Sequence, residues 1–449
     1  MAAPRLFPTA AELEANTPPS RDRAVDVIRI AALVGVVAGH TIMATSIITD
    51  GVFHWGNLLT TSPVFQALTW IFQIMPLFFF AGVAASIGSY QTGGSWGGWL
   101  LKRCTRLYRP VFYYLAFWGV ALVGLRHVLP EHVYEPVAGI SIQLLWFLGA
   151  YVLVLAAVPV LAQLNTAPRL AAAVAGTYGV IAVVDVIRVT DPGWSALSYV
   201  NFVAWLIPGM FGVAYRRGLL TPRAAWGLAV AMFGVNVALF WFGPYQLSLV
   251  GIDAEGLRNM TPPSLLLAGH AIMLCAFAIA AAPAIGRWAQ SPPVWRLAVI
   301  GNSGAMTLYL WHMPLLLGMH LVFDGLGLPR FPGQPHFVVL AVVQVALMAV
   351  LMSATFVALR QLENDPLPLW DGGYVARPGM RSAAVGVLLC IAGAATLASC
   401  AWGLKDDGLW CVAVMLVGLI AARVLAANPV EIALGDTATR ISAQPPLPQ

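Results

Sequence analysis

Val27-Ile-Arg-Ile-Ala-Ala-Leu-Val-Gly-Val-Val-Ala-Gly-His40 is an apolar stretch that contains one arginine and one histidine. A stretch of this composition is typical of a membrane-spanning helix. A cation and an imidazole are both costly in hydrocarbon, so each indicates a function or a specific contact. Their spacing corresponds to three helical turns plus about 20°, which puts Arg29 and His40 on one face, about 16 Å apart. They are too far apart to bond to each other, but they can contact opposite ends of one long ligand.

The composition of the whole chain indicates an integral membrane protein. Hydrophobic residues make up 59% of its 449 residues and charged residues only 10%, whereas a soluble domain carries about 25% charge. The first 20 residues include several prolines and no apolar run, so we expect no cleaved secretory signal. The net charge of +5 is spread over short loops, which argues against nucleic acid as a partner.

The five cysteines lie mostly inside apolar segments and show neither CxxC nor Cys/His spacing. We therefore expect buried free thiols, no metal site and no bound cofactor.

Twelve segments are apolar enough to be predicted as spans, so the expected fold is an all-α polytopic membrane protein. The predicted spans are 27–47, 64–88, 111–125, 143–163, 170–187, 199–215, 224–242, 264–285, 298–322, 337–359, 383–403 and 409–427.

Most of the 24 Lys and Arg residues fall on one side of this arrangement. The positive-inside rule then puts both termini in the cytoplasm of a multi-pass protein of the inner or plasma membrane. Residues 1–24 are predicted to be a cytoplasmic tail, 25–362 a core of ten helices, and 363–382 a Pro/Gly-rich cytoplasmic linker. Residues 383–427 are predicted to be two accessory helices, and 428–449 a disordered cytoplasmic tail.

Six polar residues within the predicted spans are candidates for function, and each also has a structural interpretation. Arg29 can instead reach phosphate headgroups, and Asp185, His270 and His320 can serve interhelical contacts or lie near water. For His312, the sequence favours neither helix packing nor function over the other. His40 is too deep in its predicted span to reach the surface easily, which favours function. The six are Arg29, His40, Asp185, His270, His312 and His320.

Arg103 and Arg106 lie in a predicted cytoplasmic loop, 102–109, that leads into the third predicted span, and they share one helical face. Ordinary cytoplasmic anchoring explains them, and so does an anion site, because paired guanidinium groups suit phosphates. Arg29 opens onto the same side. A ligand with a phosphorylated head and a long arm fits this layout, and acyl-coenzyme A has that shape. An uncharged His40 imidazole would then take a proton from an attacking hydroxyl.

These residues also carry a resemblance to a family. Asp26-Val-Ile-Arg29, with His40 after ten further residues, resembles the opening motif of the acyltransferase-3 family of integral membrane O-acyltransferases. Ala81 stands where that family usually has serine. The other similar segments, in the family's order, are Met75-Pro-Leu-Phe-Phe-Phe-Ala-Gly82, Arg103-Cys-Thr-Arg106-Leu, Trp146-Phe-Leu148, and Ser303 to Pro314 with Tyr309 and His312.

The resemblance covers about residues 25–360 and implies an acyltransferase of class EC 2.3.1.-. It implies transfer of an acetyl or other short acyl group from cytoplasmic acyl-CoA, as co-substrate, to a hydroxyl of a glycan, lipid or small molecule. With a glycan as acceptor, the resemblance implies O-acetylation as a carbohydrate modification of the cell envelope. His40 and Arg29 are then the catalytic residues, and Asp26, Arg103 and Arg106 belong to the donor site. Candidates for the acceptor side or for support are Ser303, Tyr309 and His312. The family has ten spans, so the last two helices depart from it.

A secondary transporter that exports a glycan, lipid or small molecule is the alternative, because many carriers also have twelve spans. Carriers usually place charges at corresponding positions of two halves, and span 224–242 has no counterpart of Arg29 and His40. A channel is a third hypothesis, which the absence of charged rings disfavours. Loop 243–263 is expected to be solvated or to hold a sugar.

Overall fold

A computed structural model of the protein describes residues 7–90, 94–252, 255–372, 375 and 377–427. The predicted tail 428–449 lies outside the described residues. In the predicted N-terminal tail, a short helix precedes the start of the first long helix at Arg23.

The described residues form α-helices, one β-hairpin and two 3₁₀ segments, Leu58–Thr60 and Pro192–Trp205. The hairpin consists of β1 (Ala44–Thr49) and β2 (Val52–Asn57). The helices are α1 (Ala10–Ala15), α2 (Arg23–Met43), α3 (Pro63–Phe72), α4 (Met75–Ile87), α5 (Trp96–Val128), α6 (Glu131–Ile140), α7 (Leu145–Ala156), α8 (Val158–Leu161), α9 (Ala167–Thr190), α10 (Leu206–Arg217), α11 (Pro222–Phe242), α12 (Leu265–Trp288), α13 (Pro292–Ser303), α14 (Ala305–Gly325), α15 (Phe337–Asn364), α16 (Met380–Ser399) and α17 (Asp407–Ala426).

Among the described residues, 12 helical segments are long and apolar enough to cross a membrane. This confirms the predicted number of spans. The protein is a multi-pass integral membrane protein built almost entirely of helices.

Several spans predicted as single helices are broken, which is a correction. Span 64–88 consists of α3 and α4, which part at Gln73 and Ile74 directly before Pro76. Proline lacks an N–H and restricts the residue before it, so it cannot continue a helix without loss of a bond. Span 143–163 likewise divides into α7 and α8, and span 298–322 into α13 and α14 at Gly304.

The predicted loop 102–109 is also wrong, because these residues lie inside α5. This helix has 33 residues and begins with a Ser95 cap, whose hydroxyl accepts from the backbone N–H of Gly98. Arg103 and Arg106 therefore occupy fixed positions on a helix rather than in a loop, and their predicted common face is retained.

The β-hairpin was not predicted. Its strands pair antiparallel, from Ala44 opposite Asn57 to Thr49 opposite Val52. The β-branched residues Thr45, Ile47, Ile48 and Thr49 follow His40 closely and favour an extended chain. They end α2 at Met43, a few residues before the predicted end at 47.

The last two helices, α16 and α17, pack directly on the rest of the bundle. Gly149 of α7 meets Gly393 of α16 so closely that a Cβ on Gly149 would lie 2.5 Å from the Gly393 carbonyl oxygen. The hydroxyls of Tyr108 in α5 and Thr396 in α16 are hydrogen-bonded at 2.9 Å. Linker 363–382 begins within α15. Arg109 of α5 holds the linker against the bundle, because its guanidinium donates to the Asp371 carboxylate.

Gly149→Ala is expected to loosen this packing. The added methyl group meets backbone rather than flexible side chain, so we expect a loss of about 1–3 kcal/mol of stability. The matched control is Gly176→Ala, whose Cβ meets nothing within 4 Å and which gains the same helix propensity. Thermal unfolding of the purified proteins should show a lower midpoint for the first variant alone. Equal midpoints would mean that this contact is not tight.

Candidate functional site

The structure brings His40 of α2 and His312 of α14 together. Nδ1 of His40 lies 2.9 Å from Nε2 of His312, and the planes of the two rings are nearly parallel, with an angle of 12° between them. The residues are 272 positions apart in the sequence. Two residues considered separately in the sequence therefore form one hydrogen-bonded pair.

The hydrogen bonds of this pair fix which nitrogen carries each proton. Nδ1 of His312 lies 3.1 Å from the carbonyl oxygen of Leu308, and a carbonyl can only accept, so this Nδ1 is protonated. In a neutral ring, Nε2 of His312 is then an acceptor, and it accepts a hydrogen bond from the Nδ1–H of His40. Nε2 of His40 is left with a free lone pair, which is the arrangement of a base.

The two histidines differ in accessibility. His312 is fully buried, whereas His40 is exposed and lies in the last turn of α2. Because α2 ends at Met43 rather than at the predicted 47, His40 lies about one turn from the end of its helix instead of two. No hydrogen bond joins Nε2 of His40 to any residue in the described ranges. The inner ring can therefore orient the outer ring, whose free nitrogen is open to a substrate.

Arg29 lies at the opposite end of α2, held by two side chains. Its Nε donates to Oδ1 of Asn302 at 2.7 Å, and its Nη2 donates to Oδ1 of Asp26 at 3.0 Å. The Asp26 carboxylate also accepts from Arg21 and has an exposed side-chain fraction of only 6%. Asp26 therefore positions two arginines, and its charge makes it unsuited to contact phosphate itself. The Arg29 side chain remains 29% exposed.

Arg103 and Arg106 lie at the same end of the bundle as Arg29, termed the arginine end below. Arg103 donates to the hydroxyls of Ser86, in the last turn of α4, and of Ser89, just after it, and its guanidinium lies 3.8 Å from the centre of the Trp99 ring. Arg106 is exposed. The charges of Arg29 and Arg103 both interact with the Tyr151 hydroxyl. Positive charges of two helices thus surround one region.

Ser303 and Tyr309 do not join the histidine pair through hydrogen bonds. The Ser303 hydroxyl donates to the Ile300 carbonyl at the end of α13. The Tyr309 hydroxyl donates to the Leu144 carbonyl, directly before α7. Tyr309 therefore fastens α14 to α7 one turn before His312, which is a supporting role.

The remaining intramembrane candidates are engaged in the scaffold. His270 donates from Nε2 to the Gln73 carbonyl at 3.0 Å, at the break between α3 and α4. His320 is hydrogen-bonded to the Ser46 hydroxyl at 2.8 Å. The buried Asp185 carboxylate accepts hydrogen bonds from four groups. The donors to Asp185 are Arg188, Asn201, Tyr245 and the backbone N–H of Leu265.

Asn302 and Glu363 belong to this layout although the sequence did not single out either of them. Glu363 of α15 accepts from the backbone N–H groups of Met306 and Thr307, the unpaired donors at the start of α14. Its charge also interacts with Arg29. The sequence shows only that Asn302 lies at helical spacing from Ala298 and Met306. That spacing does not indicate a contact with α2.

A cavity of about 630 Å³ opens beside the Asp26 network. Its charged walls include the guanidinium groups of Arg21 and Arg23 and the carboxylates of Glu14 and Asp22. In the part of the chain that the structure describes, no group of three or more His, Cys, Asp or Glu residues could hold a metal ion.

Comparison with known proteins gives one finding. Residues 22–353 match a family described as an acyltransferase domain, the acyltransferase 3 domain. The match spans the histidine pair, Arg29 and the arginine pair of α5, and ends before α16. No curated protein and no solved structure matches the chain.

Proposed function

The chain belongs to the acyltransferase 3 family and is a membrane acyltransferase, and we propose that it acts on a hydroxyl acceptor with His40 as general base. The donor is cytoplasmic acyl-CoA carrying an acetyl or other short acyl group. The acceptor is a hydroxyl of a glycan, lipid or small molecule of the cell envelope. The observation that carries the proposal is the hydrogen bond between His40 and His312.

In the proposed step, Nε2 of His40 removes the proton of the acceptor hydroxyl as its oxygen attacks the thioester carbonyl. The carbon–sulfur bond breaks, and the proton on His40 passes to the departing coenzyme A thiolate. Ester and free thiol are the products, and the imidazole is regenerated. His312 acts as a positioning residue, because its acceptor nitrogen keeps the proton of His40 on Nδ1.

The arginine end supplies the donor site in this proposal. Arg29 lies about 16 Å from His40 along α2, a separation that suits a donor with a charged head and a long arm. Arg103 and Arg106 add positive charge on the same side, and guanidinium groups bind phosphate oxygens in pairs.

We assign the nucleotide of the donor to the cavity beside Arg21. Its volume of about 630 Å³ falls within the range of small-molecule sites. Arg21 and Arg29 share the Asp26 carboxylate, so a ligand in this cavity lies close to Arg29. The arginine end is then cytoplasmic, in agreement with the distribution of positive charge, and both termini lie on that side of the cell membrane.

His40→Ala is expected to lower acyl transfer by about 10²–10⁴-fold, the range for loss of a general base. Membranes that contain equal amounts of protein are supplied with radiolabelled acetyl-CoA, and label is counted in the lipid and glycan fractions. His127→Ala, an exposed histidine at the end of α5, serves as the control and should retain transfer. Undiminished transfer by His40→Ala would exclude His40 as the base.

His312→Ala and His312→Gln test the positioning role. Alanine removes the acceptor for His40 Nδ1–H, whereas the glutamine side-chain oxygen can replace it. We expect the turnover rate to fall in both variants, to recover partly in His312→Gln, and the KM for acetyl-CoA to stay unchanged. Equal losses in the two variants, or a change confined to KM, would contradict a role through His40.

Arg29→Gln is expected to raise the KM for acetyl-CoA about tenfold or more, since a charge-assisted hydrogen bond to the donor is lost. Label incorporation is measured over a range of acetyl-CoA concentrations. Arg169→Gln is the matched control, because the Arg169 side chain is exposed and donates to Asn165, just before α9. An unchanged KM in Arg29→Gln would place the phosphates elsewhere.

A further inference from the structure

A second cavity lies far along α5 from the arginine end. It has a volume of about 510 Å³ and is formed by one face of α5 together with residues of α6 and α17. Its apolar walls include Phe112, Gly119, Leu404, Val412 and Leu416. Because Leu404, Val412 and Leu416 belong to the last helix pair and its loop, this cavity exists only where that pair meets α5.

The residues of α5 in this groove recur at helical spacing from Phe112 to Arg126. This interval is about 21 Å long at 1.5 Å per residue. One leaflet's hydrocarbon is roughly 15 Å deep, so the groove is long enough for the acyl chain of a lipid. Val120 and Val123 of the same stretch are 77% and 66% exposed. Because α5 is a membrane-spanning segment, such exposed apolar side chains face lipid.

Arg126 marks one end of the groove. It is exposed and lies in the last turn of α5, and it has neither an ion pair nor a hydrogen bond with the residues that the structure describes. The nearby Lys405, by contrast, is paired with Glu135 at 2.9 Å. A free guanidinium at the rim of an apolar groove complements an anionic headgroup, because arginine binds the phosphate group of a lipid.

We propose that this groove is a binding site for one anionic phospholipid. An acyl chain lies along α5 between α6 and α17, and the phosphate binds Arg126. The bound lipid fills the space between the family core and the last two helices and joins them. The site is separate from the proposed acyl-transfer site, so it stands or falls independently of it.

Two glycines of α5 allow a sharp test. A Cβ on Gly119 and a Cβ on Gly124 each meet nothing within 4 Å, yet only Gly119 lines the groove. Gly119→Leu therefore fills the groove without a clash against protein. Gly124→Leu gains the same helix propensity and leaves the groove open.

The measurement is native mass spectrometry of the full-length protein in nonionic detergent, titrated with phosphatidylglycerol or with phosphatidylcholine of the same chains. We expect the wild type and Gly124→Leu to bind one phosphatidylglycerol in preference to phosphatidylcholine. Gly119→Leu should bind both lipids at least tenfold more weakly. Arg126→Gln should bind phosphatidylglycerol about tenfold more weakly, with little change for phosphatidylcholine.

Two results would overturn the proposal. One is equal lipid affinity of Gly119→Leu and Gly124→Leu, and the other is an unchanged preference for phosphatidylglycerol in Arg126→Gln. Thermal unfolding without added lipid shows whether the variants are folded. Because Arg126 is exposed, the Arg126→Gln result remains informative even if Gly119→Leu is unstable.

Discussion

Hydrocarbon offers no hydrogen bonds, so backbone groups freed by a broken helix must find partners within the protein. This constraint accounts for three polar side chains that hold the bundle together. His270 donates to the free Gln73 carbonyl between α3 and α4, and Tyr309 donates to the Leu144 carbonyl before α7. Glu363 accepts from the unpaired N–H groups at the start of α14. At each of these helix breaks, a polar side chain of another helix thus forms hydrogen bonds with the backbone groups that the break leaves unpaired.

The histidine pair depends on these contacts. Glu363 binds the first turn of α14, and Tyr309 of the second turn binds the Leu144 carbonyl. These two contacts hold α14 in place, so that His312 faces α2. The Leu308 carbonyl accepts from Nδ1–H of His312 and so keeps the proton of that ring on Nδ1. In the same way, Nε2 of His312 keeps the proton of His40 on Nδ1. The chemistry proposed for His40 therefore depends on a chain of neutral hydrogen bonds rather than on a buried carboxylate, whose charge would be costly in this environment.

The family, the number of spans and the common face of Arg29 and His40 could all be predicted, because they depend on composition, order and helical spacing. The break at Gln73 has a local signal in Pro76, because proline lacks a backbone N–H and restricts the residue before it. The contact of His40 with His312 had no such signal, since it requires the packing of helices 272 positions apart. The same holds for Asn302 at Arg29 and for the close packing of α16 on α7, where Gly149 is recognisable only once Gly393 lies opposite.

The central claim is that one donor extends from Arg29 to the histidine pair. A cryo-electron microscopy structure with a non-cleavable acetyl-CoA analogue tests it directly. The account predicts the phosphates at Arg29, Arg103 or Arg106 and the acyl carbonyl close enough to His40 Nε2 for an acceptor oxygen to lie between them, with the bond from His40 to His312 intact. An acyl group bound away from both histidines, or phosphates at the opposite end of α2, would contradict it.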